Sequence, residues 1–340
     1  MTALLARSDF VRTPLLAPAQ PHGFKEWHHF VVHAEHCPVL ININLAAEQR
    51  RDGPPQIVPR VIVIARDTRW AGAVQRFDPA ALAVSPDLGQ LRVEGNQMGV
   101  TAEGYRVVID LPAQGIRGEL EFTSASRPFV VNNQPVGTGR MSWLFVPRLR
   151  ADGWLRIGGT DHRFTSEPAY HDHNWGRFQW GDDFGWTWGT VVPRRRDEPW
   201  SLVFLQMTDR RRLRATAQAV YLWHHDEPAA MLLRSAVTTR SHGTSPVPPD
   251  CTLPAPMALL VDGHAPGVPA CLEITAARAG DTVHAEFRPT SYARLAQPSE
   301  RHLDRCTVLC EAGGTARVTG TVAGRSVDFV GAALFEFLHG

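Results

Sequence analysis

The stretch GRMSWLFVPRLRADGWLRIGGTDHRFTSEPAYHDHNWG (139–176) sets the character of the chain. Its first part, 140–159, mixes apolar and charged residues in short β-rich runs and closes on Gly158-Gly159, the pattern of strands and hairpins. Outward from it the same style recurs in PRVIVIA (59–65), YRVVIDL (105–111), GELEFTS (118–124), GWTWGTVV (185–192), WSLVFLQM (200–207), ATAQAVYLW (215–223), CLEITAA (271–277) and TVHAEFRP (282–289). Strands at short spacing, broken by glycine and proline, predict an all-β chain built as sandwiches or barrels. Only 78–92 and 294–303 offer room for short helices, and the proline-rich 241–270 reads as a long loop.

Composition narrows the function classes. With 340 residues, 44% hydrophobic and 20% charged, the chain has material for one large or two ordinary globular domains. A net charge of +1 gives no electrostatic reason to expect nucleic acid or an anionic membrane surface. Lys25 is the only lysine, so a Walker-type Gly-Lys-Ser/Thr loop is impossible and a Schiff base would have to form there. No G-x-S-x-G, no H-E-x-x-H and no complete G-x-G-x-x-G is present. Cys37, Cys251, Cys271, Cys306 and Cys310 are odd in number and scattered, which favours neither a disulfide framework nor a zinc ribbon. The first 21 residues do not make a signal peptide, and a cytoplasmic location is expected.

Chemistry concentrates in AYHDHNWGRF (169–178). On a strand, side chains alternate, so Tyr170, Asp172 and Asn174 share one face while His171, His173 and Trp175 share the other. Alternation leaves only two histidines to grip an ion together, and no metal is expected. An acid held in apolar surroundings, with a phenol and an amide at i ± 2, can keep its proton and give it to a substrate. Trp175, Trp180, Trp186 and Trp188 follow closely, and Phe184, Trp186 and Trp188 share a face: an aromatic wall suited to a long apolar substrate and to cationic charge. Earlier, KEWHHFVVHAEHCPVLININLA (25–46) reads as a hairpin turning at Cys37-Pro38, with Trp27, His29, Val31 and His33 on one face and His28, Phe30 and Val32 on the other. Its four histidines, His28, His29, His33 and His36, admit either a proton-transfer role or ordinary hydrogen bonding.

Three stretches resemble the carotenoid 1,2-hydratase (hydroxyneurosporene synthase) family, whose relatives include lipocalin-like proteins and Diels–Alderase-type cyclases. KEWHHFVVHAE is similar to the family's opening strand, 139–176 to its central hairpin and Y-H-D-x-N-W-G element, and VDFVGAALFEFLHG to its closing strand. The likeness implies two lipocalin-like (calycin-type) antiparallel β-barrels packed together, 15–165 and 166–340, with Asp172 protonating an alkene beside Tyr170. Trp143 and Phe145 stand nearest the family's His-x-Trp pair, and His28-His29 replace its usual Trp-Tyr.

The expectation that follows is a cofactor-independent enzyme acting on an apolar isoprenoid or polyene. Asp172, Tyr170 and His171 are its candidate catalytic residues. Trp27, His29, Trp143, Phe145, Asn174, Trp175, Trp186 and Trp188 are expected to line the substrate. The cation would be captured within the substrate (a cyclase) or by water (a hydratase), with peripheral membrane contact as a route for substrate delivery. Two alternatives stand beside it: a pericyclase that folds a polyene by shape, and a non-catalytic lipocalin-like carrier of an apolar ligand.

Overall fold

The structure, a computed structural model, describes residues 8–16, 23–49, 52–180, 183–261, 267–300, 302 and 304–339. It is all-β, as expected, with two sheets of 12 and 10 strands. Contacts divide the chain into Met1–Asp67 with Ala71–Gln179, and Thr68–Trp70 with Trp180–Gly340.

The first sheet contains β1 (Phe24–Val32), β2 (Val39–Glu48), β3 (Gln56–Arg66), β4 (Trp70–Arg76), β5 (Leu82–Val84), β6 (Gln90–Val93), β7 (Asn96–Val100), β8 (Gly104–Leu111), β9 (Ile116–Ser124), β10 (Phe129–Val136), β11 (Gly139–Ile157) and β12 (Thr160–Arg177). Neighbours run β4-β3-β2-β1-β12-β11-β9-β8-β7-β6-β5, with β10 also on β11. The sequence order is a meander except at two joins: the last strand, β12, lies between β1 and β11, and β11 pairs with β9. Ala73 on β4 and Leu91 on β6 stand near opposite ends of this path yet share one core with Phe30, Ile41, Val63 and Leu144. The sheet therefore wraps around a single interior, the economical way to bury one apolar face of so many strands. β11 bends at two bulges, beside Val146/Leu149 and Ala151/Gly153. At the second, Gly153 has φ +133°, and a Cβ there would meet the Glu119 carbonyl oxygen at 2.1 Å, so only glycine fits.

The expected boundary at 165/166 falls inside β12, which runs from Thr160 to Arg177 within the first sheet. Ser166, at φ +51°, lies in that stretch, where the pairing with β11 shifts register. A bulge thus carries the strand past Ser166 without ending it.

The second sheet contains β13 (Phe184–Pro193), β14 (Trp200–Asp209), β15 (Ala215–His224), β16 (Glu227–Leu233), β17 (Val237–Thr244), β18 (Thr252–Leu253), β19 (Pro269–Arg278), β20 (Asp281–Pro298), β21 (Cys306–Val322) and β22 (Arg325–His339). Its order is β16-β15-β14-β13-β22-β21-β20-β19-β17, again with the first and last strands adjacent. Its core includes Phe204, Phe287, Phe335 and Phe337, and the Phe287 and Phe335 rings stack at 4.3 Å.

Helical content differs from expectation in place. Within 78–92 only Pro79–Ala81 forms a 3-10 turn, where the Asp78 side chain accepts from the Ala80 N–H at 2.8 Å. Arg294–Pro298 completes β20 instead of starting a helix. The expected loop 241–270 contains α1 (Ala255–Val261), where Ala, Met and Leu follow a proline that a first helical turn tolerates. No described helix is long and apolar enough to cross a membrane. None of the five cysteines forms a disulfide.

Candidate functional site

In β12 the consecutive residues Pro168–Asn174 are all buried, so both faces of the strand are covered there, and alternation gives each a different chemistry. Ala169, His171, His173 and Trp175 point into or toward the first core; Ala169 is part of it and Trp175 packs against it. Tyr170, Asp172 and Asn174 occupy the other face.

Register defines the outer face. His29 on β1 and Phe145 on β11 are the direct cross-strand neighbours of Asp172, and Trp27 and Trp143 are those of Asn174. Two rows result, His29–Asp172–Phe145 and Trp27–Asn174–Trp143. Every member is buried, from 0% exposure at Phe145 to 7% at Trp27, and Tyr170 beside them is at 0%. Trp143 and Phe145 stack with centroids 4.5 Å apart. The Asn174 amide donates to Asp172 Oδ1. Asp172 Oδ2 lies 3.8 Å from His29 Nδ1. Because Oδ1 accepts from the amide, a proton on this carboxyl belongs on Oδ2. Seven of the sequence-selected residues, Tyr170, Asp172, Asn174, Trp27, His29, Trp143 and Phe145, thus meet on one surface. The only lysine, Lys25, shares the β1 side of that surface; it is fully buried and donates to the Phe178 carbonyl at 2.8 Å.

His171 and Trp175 do not join them. Both face inward, where a second polar cluster sits inside the first barrel. Asp9, from the segment preceding β1, accepts from Tyr105 Oη at 2.6 Å and faces His173 Nδ1 at 2.6 Å and His171 Nε2 at 3.0 Å. His173 Nε2 faces Glu26 Oε1 at 2.8 Å. His171 Nδ1 donates to the His29 carbonyl at 3.0 Å, since a carbonyl can only accept. Glu26 also accepts from the backbone N–H groups of Arg12 and Thr13 at 2.6 and 2.7 Å. The Arg12 guanidinium lies 3.6 Å over the Trp175 ring.

The titration of this cluster is set by a contest between burial and charge. For Asp9, burial raises the pKa, but His173 and His171 outweigh it and hold the carboxyl well below its ordinary value. Glu26 is lowered for the same reason, with burial opposed chiefly by His173 and Thr13. Burial pulls His173 down, yet Asp9 and Glu26 bring it above the ordinary imidazole value. His173 is therefore an imidazolium bridging two carboxylates. Burial, followed by the charge of His173, drives His28 well below its ordinary value and keeps it neutral.

Two inward groups bring possible metal-ligand atoms within 4.8 Å of one another: Asp9, His28 and His171, and Glu26, His28 and His173. Imidazole and carboxylate suit zinc or a similar ion. Against this, the His28 and His173 rings stack at 3.8 Å and 26°, which sets their in-plane lone pairs side by side instead of aiming them at one point. His173 already spends both nitrogens on carboxylates. The geometry fits a proton-bridged network better than a coordination sphere. Neither His28 nitrogen has a hydrogen bond.

His33 lies just beyond β1 and is buried, with its backbone N–H on the Pro168 carbonyl at 2.8 Å. His36 is exposed, with its ring Nε2 3.0 Å from the Arg163 carbonyl. Trp186 and Trp188 lie on β13 of the second unit, buried and outside its core cluster. Sequence reasoning missed Asp9, Arg12, Glu26 and Tyr105. Glu26 had a usable signal, an acid at the same strand parity as His28 and Phe30. Asp9 had none, since its contacts lie more than 90 residues away.

No family model and no curated protein matches the chain in sequence. Solved structures do match its fold. A Nitrosomonas europaea protein assigned as AttH aligns at TM-score 0.63 and 13% identity, over 93% of this chain and 92% of its own. Kievitone hydratase from Nectria haematococca aligns at TM-score 0.60 and 11% identity, over 97% and 95%. CghA with Sch210972 aligns at TM-score 0.56 and 14% identity, over 94% and 89%. The architecture is shared with these proteins across nearly the whole chain.

Proposed function

We propose that the outer face of β12 is the centre of a cofactor-independent, non-redox enzyme of the hydratase or cyclase type, acting on an apolar isoprenoid or polyene. The observation that carries this reading is Asp172, buried at 3% exposure between His29 and Phe145, with its Oδ1 occupied by Asn174. That arrangement leaves Oδ2 as the oxygen that carries and delivers a proton. Kievitone hydratase, a structural neighbour named for adding water, lends the reading support.

In the proposed reaction the Oδ2–H bond breaks as its proton joins one alkene carbon, and the other carbon becomes a cation. The π electrons supply the new C–H bond, and Asp172 is left as a carboxylate stabilised by the Asn174 amide. Trp27, Trp143 and Phe145 offer ring faces to the cation and keep bulk water from it. In a hydratase, water adds to the cation and its surplus proton returns to Asp172. In a cyclase, a second alkene or a hydroxyl of the substrate adds, and loss of a proton to Asp172 closes the cycle. The altered surface, with His29 where the resembled family has Tyr, favours cyclisation.

Asp172→Asn tests the assignment with polyene and isoprenoid substrates in D2O. The expected result is deuterium in the product of the wild-type reaction and a loss of about 100-fold or more in the variant, the usual span of general-acid catalysis. Product formed without deuterium, at an unchanged rate in the variant, would replace the acid by a pericyclic reaction governed by shape. A ligand returned chemically unchanged would make the protein a carrier.

A further inference from the structure

The second unit contains a cavity of about 630 Å³ that the Asp172 chemistry does not use. We propose that it binds a small amphiphilic carboxylate whose head group is held by Arg212. The walls come from β13, β14, β15, β17, β19 and β22, all strands of one sheet. Its volume falls in the range of about 300–1,000 Å³ typical of small-molecule sites.

The decisive residue sits in the turn joining β14 to β15, Asp209-Arg-Arg-Arg-Leu-Arg214. Arg210, Arg211 and Arg214 are exposed; Arg212 is half-buried and lines the cavity. It adopts φ +58°, a left-handed conformation that costs a non-glycine residue about 1 kcal/mol or more. The strain turns one guanidinium of an arginine-rich hairpin inward. There its Nη2 donates to Thr187 Oγ1 at 2.5 Å, and Nη1 lies 3.4 Å from the His339 ring nitrogens. Among the described residues no carboxylate pairs with it. Burial lowers its pKa, and the neighbouring Cys310 thiol, pushed up to about 12 by burial, stays neutral and offers it no counter-charge.

A half-buried guanidinium without a carboxylate partner has lost part of its hydration uncompensated, and a bound anion restores the balance. His339 does not add a second charge. Burial, then Arg212 and Arg294, push it down to about 3, so it is a neutral hydrogen-bonding wall at physiological pH. Thr208 supplies an independent pointer: it lines the cavity at 4% exposure, and its Oγ1 has no hydrogen-bond partner. The rest of the wall is mixed: Val268, Leu272 and Phe337, all of the second core, with the Phe337 ring centroid 5.7 Å from the Arg212 guanidinium carbon, stand beside Gln206, Gln218 and Thr239. One cation, a free hydroxyl and a wall that is part apolar and part hydrogen-bonding match a monocarboxylate with a short hydrocarbon body. A phosphate dianion would carry in more charge than Arg212 neutralises. The planar fork suits a carboxylate edge-on, through two parallel N–H···O bonds.

Calorimetric titration of the full chain with octanoate at pH 7 tests the proposal, beside octan-1-ol and inorganic phosphate. We expect one saturable octanoate site, at least tenfold weaker in Arg212→Gln and intermediate in Arg212→Lys, which keeps charge but loses the fork. Octanol should bind at least tenfold more weakly than octanoate, and phosphate should not displace it. Thr208→Val, nearly isosteric, should weaken octanoate several-fold and guards against misfolding of the Arg212 variants, whose folding is checked by circular dichroism. Absence of saturable octanoate binding, equal binding by octanol, displacement by phosphate, or affinity unchanged in Thr208→Val and in a folded Arg212→Gln would each overturn it.

Discussion

Asp9→Asn should loosen the first barrel far more than a one-atom change suggests. Asp9 is 1% exposed and meets His173, His171 and Tyr105 within 3.0 Å. The variant keeps the shape but removes the charge opposite a buried imidazolium. Breaking one partner of such a pair costs about 3–5 kcal/mol. In a unit of this size each kcal/mol lowers the melting temperature by about 2–4 °C, so the expected fall is about 6–20 °C. Amide exchange in peptides covering 24–32 and 160–177 should accelerate by about two to four orders of magnitude.

The pH dependence gives the test its second edge. Asp9 and Glu26 have lowered folded pKa values, so their stabilisation is present above the ordinary carboxylate range and fades as pH falls through the folded values. His173 has a raised folded pKa, so its contribution is full below its unfolded value of 6.5 and is lost as pH rises through the folded one. The difference between wild type and Asp9→Asn should peak between these limits and shrink on both sides. A loss below about 1 kcal/mol, or a difference indifferent to pH, would refute the bridging imidazolium.

Two further substitutions probe packing. Gly189→Ala would place a Cβ 2.4 Å from the Phe335 ring, which is itself stacked on Phe287; overpacking should cost the second unit about 1–3 kcal/mol in urea unfolding. His28→Phe keeps a ring against His173 while removing two buried nitrogens that have no hydrogen bond. It should raise the melting temperature, because an unsatisfied buried polar group costs about 1–3 kcal/mol; a fall would show that those nitrogens are used.

Strand parity was the most legible feature of the chain. The period of two correctly separated Tyr170, Asp172 and Asn174 from His171, His173 and Trp175, and Trp27 and His29 from His28 and Phe30. It follows that His171 cannot share Asp172's surface, although both were grouped as catalytic. What parity cannot supply is pairing. That His29 stands opposite Asp172 depends on β12 returning to β1 after more than 130 residues, a long-range closure invisible to local pattern. Asp9 was illegible for a different reason: it lies in an irregular segment, where no periodicity tells an inward acid from a solvated one.

The two faces of β12 also divide what sequence change can do to this protein. Positions 171 and 173 are tied to an ionic network that holds the barrel shut, so substitution there is paid in folding. Positions 170, 172 and 174 project the other way, and their neighbours, 27, 29, 143 and 145, share that parity. The outer surface can therefore change, one alternate residue at a time, without disturbing the ion-paired interior behind it. Such separation makes the two sets of positions independent: what stabilises the fold and what faces outward are varied by different residues of one strand.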